Sequence, residues 1–152
     1  MEFLRELFAN KAFVSGISGW MVAQVSKTII YAIMNKKLVW ERMFGGGGMP
    51  SSHSATVCGL ATATGMMYGG GSIEFAIALC FAIIVMYDAM NVRLETGKQG
   101  KVLNDIIETF QTMGKNISPE DRMKELVGHT PMQVFVGAIM GVLIAIIVVT
   151  YL

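Results

Sequence analysis

The sequence predicts an all-α, polytopic membrane helix bundle, with about four spanning helices and short interfacial helices beside them. Three observations carry that expectation. Hydrophobic residues make up 53% of the 152 residues and charged residues 15%, with a mean hydropathy of +0.55, which is too apolar for an ordinary soluble domain. Four apolar runs approach the roughly 20 residues that a helix needs to cross about 30 Å of hydrocarbon. The loops before the second and fourth runs hold most of the positive charge and the chain's two histidines, His53 and His129. So short a chain is expected to form one domain, residues 1–152.

Residues 1–12, MEFLRELFANKA, carry two acidic side chains and no small-residue cleavage site behind a short apolar core, so they are read as an interfacial helix. The first span, 13–35, is long enough but contains Gln24 and Lys27. The second, 53–68, is short and rich in Ala, Gly and Thr, which places it inside the bundle. The third, 73–92, is strongly apolar until Asp88, and the fourth, 131–152, is the cleanest. Ala55, Gly59 and Ala63 on the second span, and Gly137, Gly141 and Ala145 on the fourth, recur at the spacing that lets helix backbones approach closely in lipid. The second of these stripes is also a candidate contact with another copy of the chain.

The polar region 93–129 contains KVLNDIIETFQTM, whose Val102, Leu103, Ile106, Ile107 and Phe110 form one apolar stripe, so a surface amphipathic helix is expected there. Ser118, Pro119, Glu120 and Asp121 mark the start of a second short helix, and Gly128 its stop. Four spans put both histidine loops on one side of the membrane. Lys36, Lys37, Arg42, Arg93, Lys98, Lys101, Lys115, Arg122 and Lys124 lie there, against Arg5 and Lys11 opposite, so the positive-inside rule predicts a cytoplasmic histidine side in a multi-pass protein.

Composition also excludes some functions. A net charge of +1, from 12 basic and 11 acidic residues, offers no basic surplus for nucleic acid. Cys58 and Cys80 sit in apolar runs with no C-x-x-C partner and no arginine six residues on, and read as small buried residues.

The chemistry concentrates at two helix starts. In MPSSHSA, Ser51 or Ser52 can cap a helix beginning near His53. In GHTPMQ, Thr130 and Gln133 form a T-x-x-Q capping box directly after His129, with Pro131 in the first turn. Two positive helix ends, two imidazoles and nearby cations suit a phosphate, and imidazole can serve as nucleophile or proton donor near neutral pH. Lys27 lies deep in the first span and shares a face with Gln24 and Tyr31, which marks it as a functional candidate. Asp88 ends the third span, with Asn91 and Glu95 on its face. Arg93 falls about 140° around an unbroken helix from Asp88, so the two are not expected to stack, although both can border one cavity.

The segments GGMPSSHSA, VMYDAMNVRLETGKQGKVLN and KELVGHTPMQVFVG, in that order, resemble the divergent branch of the type 2 phosphatidic acid phosphatase and vanadium haloperoxidase superfamily, from about Gln24 to Gly141. The resemblance implies an integral-membrane phosphatase of phosphomonoester or pyrophosphate lipids that works through a phosphohistidine without metal or cofactor. Phosphatidylglycerol phosphate, phosphatidate and isoprenyl phosphates are the candidate substrates. Pro50-Ser51-Ser52-His53 stands where the family's P-S-G-H motif supplies the general acid, which gives that role to His53. His129 matches the nucleophile of S-R-x5-H-x3-D, but the fourth residue after it is Gln133, which can fix the imidazole tautomer without neutralising its charge.

Asp88 and Glu125 are the candidates to supply that charge. The motif's arginine has no counterpart at the required spacing, since Arg122 and Lys124 lie seven and five residues before His129, and Arg93 is the substitute. Lys27 is the best replacement for the lysine of the family's K-x6-R-P motif, which has no literal match. The resemblance therefore implies catalytic His53, His129 and Asp88, phosphate binding by Lys27, Ser51, Ser52, Arg93 and Lys124, and orientation by Gln133 and Glu125. Two other readings stay open. One is a metal hydrolase built from His53, His129 and Asp88; the other is a transporter or anion-binding membrane module without turnover.

Overall fold

Side-chain caps set four of the six α-helix starts among the described residues. The computed structural model describes residues 1–37, 39–43, 47–113, 123 and 128–152, and every regular element among them is helical. The α-helices are α1 (Glu2–Ala9), α2 (Lys11–Asn35), α3 (Ser52–Tyr68), α4 (Ile73–Met90), α5 (Val92–Thr112) and α6 (Pro131–Tyr151), with a 3-10 turn at Trp40–Met43. Asn10 caps α2 by accepting from the backbone of Ala12 and Phe13, at 3.0 and 3.1 Å. Ser51, Ser72 and Thr130 cap α3, α4 and α6 in the same way.

The small-residue helix α3 is the centre of the bundle and packs on α2, α4 and α6. Its register with α6 is parallel: Gly137 faces the Ser51 carbonyl, and Gly141 faces Ala55 and Gly59. A β-carbon at Gly137 would overlap that carbonyl oxygen, so close backbone approach requires glycine there. Against α2 the register is antiparallel, with a β-carbon at Gly59 falling 2.9 Å from the Ser15 carbonyl oxygen. Ala145 is fully enclosed with Ala12 and Ala63. The stripe Gly137, Gly141 and Ala145, expected as a contact with another copy, is thus occupied inside the chain.

Burial is inverted relative to a water-soluble core. The buried hydrophobic residues are alanines and a few valines, whereas Ile77, Ile84 and Phe135 are 65%, 66% and 62% exposed. Water would drive such side chains inward; lipid does not, and small residues then form the helix contacts. Among the described residues, two helical stretches, Ile73–Thr112 and Pro131–Tyr151, are long and apolar enough to cross a membrane. The four spans expected from sequence become two by this measure. At 17 residues, α3 is short of a full span, and α2 is diluted by glycines, serines, Gln24 and Lys27.

The amphipathic helix expected within 93–129 is present as α5. Its Val102, Leu103, Ile106 and Phe110 are exposed, while Gly97, Gly100 and Asn104 face inward. The amide of Asn104 holds the backbone of Met123 at both its N–H and its carbonyl, at 2.8 and 2.9 Å. The second short helix expected at Ser118 to Asp121 lies outside the described residues.

Candidate active site

His129 is held on three sides. Its N–H donates to the carbonyl of Ala89 at the end of α4, 2.9 Å away. Gly128, with φ +89°, lets the chain lie against the backbone of Arg93 and Leu94, where a β-carbon would collide. After it comes the capping box: the Gln133 N–H donates to the Thr130 hydroxyl at 3.4 Å, and Gln133 Oε1 accepts from the Thr130 N–H at 3.2 Å. The same Oε1 lies 3.3 Å from His129 Nδ1. An amide oxygen only accepts, so Nδ1 carries the proton and Nε2 keeps its lone pair. That Nε2 is buried in a side chain only 1% exposed and makes no hydrogen bond of proper geometry, although the Gly48 backbone lies close to the ring. Burial lowers the His129 pKa below its ordinary value; the Gln133 bond opposes this, the charges of Lys27 and His53 add to it, and the Gly48 backbone opposes it again.

His53, the second residue of α3, is half-buried, and its ring meets that of His129 edge-on, with centroids 5.7 Å apart at 67°. Its Nδ1 is buried and unpartnered. Ser51 fixes this arrangement. Its N–H donates to the Gln133 carbonyl at 3.0 Å, joining the starts of α3 and α6. Its hydroxyl accepts from the N–H and hydroxyl of Ser54, at 3.3 and 3.0 Å. The Ser51 hydroxyl, expected on phosphate, is therefore engaged as the helix cap and fully buried. Ser52, also buried, opens α3 immediately before His53.

Two cavities receive the remaining candidates. One of about 610 Å³ is lined by His53, Thr56, Asp88 and Arg93, with Phe81 and Ile84 among its apolar residues. Here Arg93 Nε donates to Asp88 Oδ2 at 2.5 Å. The two were expected on different faces of one helix. Instead the helix breaks at Asn91 (φ −112°, ψ −72°), and α5 restarts at Val92, so five residues suffice to bring the charges together. The other cavity, about 340 Å³, is lined by Lys27, Tyr31, Gly47, Gly48 and Gln133. Lys27 is 5% exposed, donates to Gln24 Oε1 at 2.8 Å, and packs its stem against Gly48.

The structure thus gathers His53, His129, Gln133, Asp88 and Arg93, and puts Lys27 in the cavity on the Gln133 side. Lys124 and Glu125 lie outside the described residues. No group of three His, Cys, Asp or Glu side chains placed to hold a metal occurs among the described residues, so His53, His129 and Asp88 do not assemble the metal site that the sequence left open. Sequence reasoning missed the Ala89 carbonyl as an anchor, and Trp20 and Thr56 as cavity residues. None of these carries a local signal. Gly128 had one, as a helix stop, but its contact with the α4–α5 junction is tertiary.

Residues 8–144 match the family model of the Divergent PAP2 family. The chain belongs to that family. Consistent with this, it is similar to the uncharacterized membrane protein YuiD of Bacillus subtilis (strain 168), with 35% identity over 151 residues, covering 93% of this chain and 96% of that protein. No solved structure matches significantly. Family membership and the inverted burial together make this a PAP2-like membrane protein.

Proposed function

We propose that this chain is a metal-independent phosphatase of lipid phosphates that works through a phosphohistidine on His129. One observation carries the reading. Two imidazoles meet edge-on at adjacent helix starts, each with a buried nitrogen that makes no hydrogen bond of proper geometry, and one is locked by Gln133 with its Nε2 lone pair available.

In the first step the Nε2 lone pair of His129 attacks phosphorus, and the bond from phosphorus to the lipid oxygen breaks. Protonated His53 gives its proton to the departing oxygen. A water then attacks the phosphohistidine, neutral His53 takes the water proton, and the phosphorus–nitrogen bond breaks to release inorganic phosphate. Lys27 and Arg93 are the cations that balance charge on the phosphoryl oxygens. Gln133 orients His129 but adds no negative charge to its imidazolium.

In this reading α2, α3, α4 and α6 all cross the membrane, and the histidines face the cytoplasm, where lipid phosphates made on that face would reach them. Phosphate release from phosphatidylglycerol phosphate, phosphatidate and isoprenyl phosphates, assayed on detergent-purified protein, tests the chemistry; activity surviving both His53→Ala and His129→Ala overturns it. A cysteine placed at Lys98, in a Cys58→Ser and Cys80→Ser background, should react with a membrane-impermeant maleimide only after cell lysis.

A second reading, an anion-binding module without turnover, is favoured by Gln133 standing where the family motif has a carboxylate. Phosphate binding without hydrolysis of any lipid tested would select it.

A further inference from the structure

The geometry points to Asp88 as a positioning residue that holds Arg93 as an oriented phosphate clamp, rather than as an acid or base of the reaction. The inference rests on the phosphate chemistry proposed for the same cavity.

Arg93 contacts Asp88 through Nε alone. A guanidinium presents five N–H donors in a rigid fork, so this contact fixes the plane of the group and leaves four donors on the terminal nitrogens. Among the described residues Arg93 makes no other hydrogen bond or ion pair. Both side chains line the cavity that His53 also lines. Arginine binds phosphate best through paired, charge-assisted N–H bonds, and the terminal nitrogens supply them.

The pair is a weak candidate for a purely structural bridge. Arg93 and Asp88 side chains are 50% and 38% exposed, and ion pairs in such settings add little to stability. Ordering a long side chain before its ligand arrives removes part of the entropic cost of binding. The backbone beneath is ordered too. Gly128 packs on Arg93 and Leu94, and the His129 N–H bonds to Ala89, so clamp and nucleophile are registered to one helix junction.

The rival role is charge support for His53. Four charged or titratable groups bear on His53 among the described residues: Lys27 from α2, Asp88 from α4, Arg93 from α5, and His129 ahead of α6. Arg93, bonded to Asp88, bears on His53 more strongly than Asp88 does, so the pair offers no net negative charge to the imidazole and Asp88 is a poor proton-charge partner for it.

Calorimetric titration of the full-length protein in detergent with inorganic phosphate, beside steady-state kinetics, separates the roles. Asp88→Asn should weaken phosphate binding and raise KM about tenfold, the loss of one charge-assisted contact, and Arg93→Lys should do the same. Adding Asp88→Asn to Arg93→Lys should change binding less than about twofold, because the two act as one unit. Lys98→Ala, which removes an exposed pair with Glu95, should leave phosphate binding unchanged. Unchanged helical content and monodisperse elution identify folded variants.

Asp88→Asn that lowers kcat or shifts the basic limb of the pH profile while sparing phosphate affinity would overturn the inference in favour of His53 support. Multiplicative losses in the double variant, or no phosphate binding by the unmodified chain, would also overturn it. Phosphate binding that follows the predicted pattern without any lipid hydrolysis would sustain the clamp and reject the phosphatase reading.

Discussion

His53 and His129 stand at the starts of two parallel helices, yet the protein treats them differently. His129 is enclosed, its backbone bonded to Ala89 and its ring to Gln133. His53 is half-buried and borders the larger cavity, beside Asp88 and Arg93. The contrast suits a division of labour. A nucleophile gains from one fixed tautomer and one fixed position, whereas a proton donor must exchange its proton with a solvent-connected space.

The largest effect expected from this contrast is on leaving-group dependence. His129→Ala should reduce phosphate release by about 10⁴-fold or more on any substrate, because no covalent intermediate can form. His53→Ala should reduce lipid phosphate hydrolysis by about 10²- to 10⁴-fold, the usual range for a general acid. On p-nitrophenyl phosphate, whose leaving group departs without a proton, His53→Ala should keep first-turnover release of nitrophenol within a few-fold. Steady-state phosphate release should stay slow in that variant because His53 also deprotonates the attacking water; His129→Ala should abolish both. Equal losses of first-turnover nitrophenol release in the two variants would erase the distinction between the two histidines.

A smaller effect tests what holds the two helix starts together. Gly137→Ala places a β-carbon against the Ser51 carbonyl, in the contact that sets α3 against α6. Overpacking of this kind typically costs about 1–3 kcal/mol, so thermal unfolding in detergent should fall by several degrees, and activity should fall with it as the rings separate. Gly71→Ala, which meets nothing within 4 Å, is the matched control. Equal stability in the two variants would mean that the α3–α6 contact does not set the site.

What the sequence could reveal here was local. Ser51, Thr130 and Gln133 announced two helix starts because capping chemistry acts within four residues, and the histidines beside them became legible as a pair. Small residues on 53–68 marked α3 as the central helix for a similar reason, since only close backbone approach explains them in lipid. The break at Asn91 had no such signal. Asp88, Asn91 and Glu95 fall on one helical face, and no glycine or proline interrupts them. Tertiary contact decides the matter, because the Ala89 carbonyl, which an unbroken helix would give to the amide of Arg93, accepts from His129 instead. Without that exchange the Asp88–Arg93 pair could not be foreseen. The Gly137, Gly141 and Ala145 stripe makes contacts within the chain, and sequence does not tell these from contacts with another copy because both kinds of helix contact use the same residues.

The smallest expected effect concerns pH. Burial lowers the His129 pKa below 6.5, so the neutral nucleophile persists to a lower pH than an exposed histidine would allow. The acid limb of kcat/KM, which reports the free enzyme, should then fall below pH 6.5. Stability follows the same sign. As pH falls, the unfolded chain takes the proton first, so the contribution of neutral His129 is fully present above 6.5 and is lost as pH drops through the folded-state value. Gln133→Glu keeps an acceptor for the Thr130 N–H and for His129 Nδ1, but adds a negative charge that favours imidazolium. The acid limb should move upward in this variant, with only a few-fold change in rate at neutral pH, while the His53-dependent basic limb stays in place. If both limbs moved together, the two histidines would titrate as one coupled pair, and separate roles could not be assigned to them from pH alone. If neither moved, Gln133 would not be the group that governs the protonation of His129.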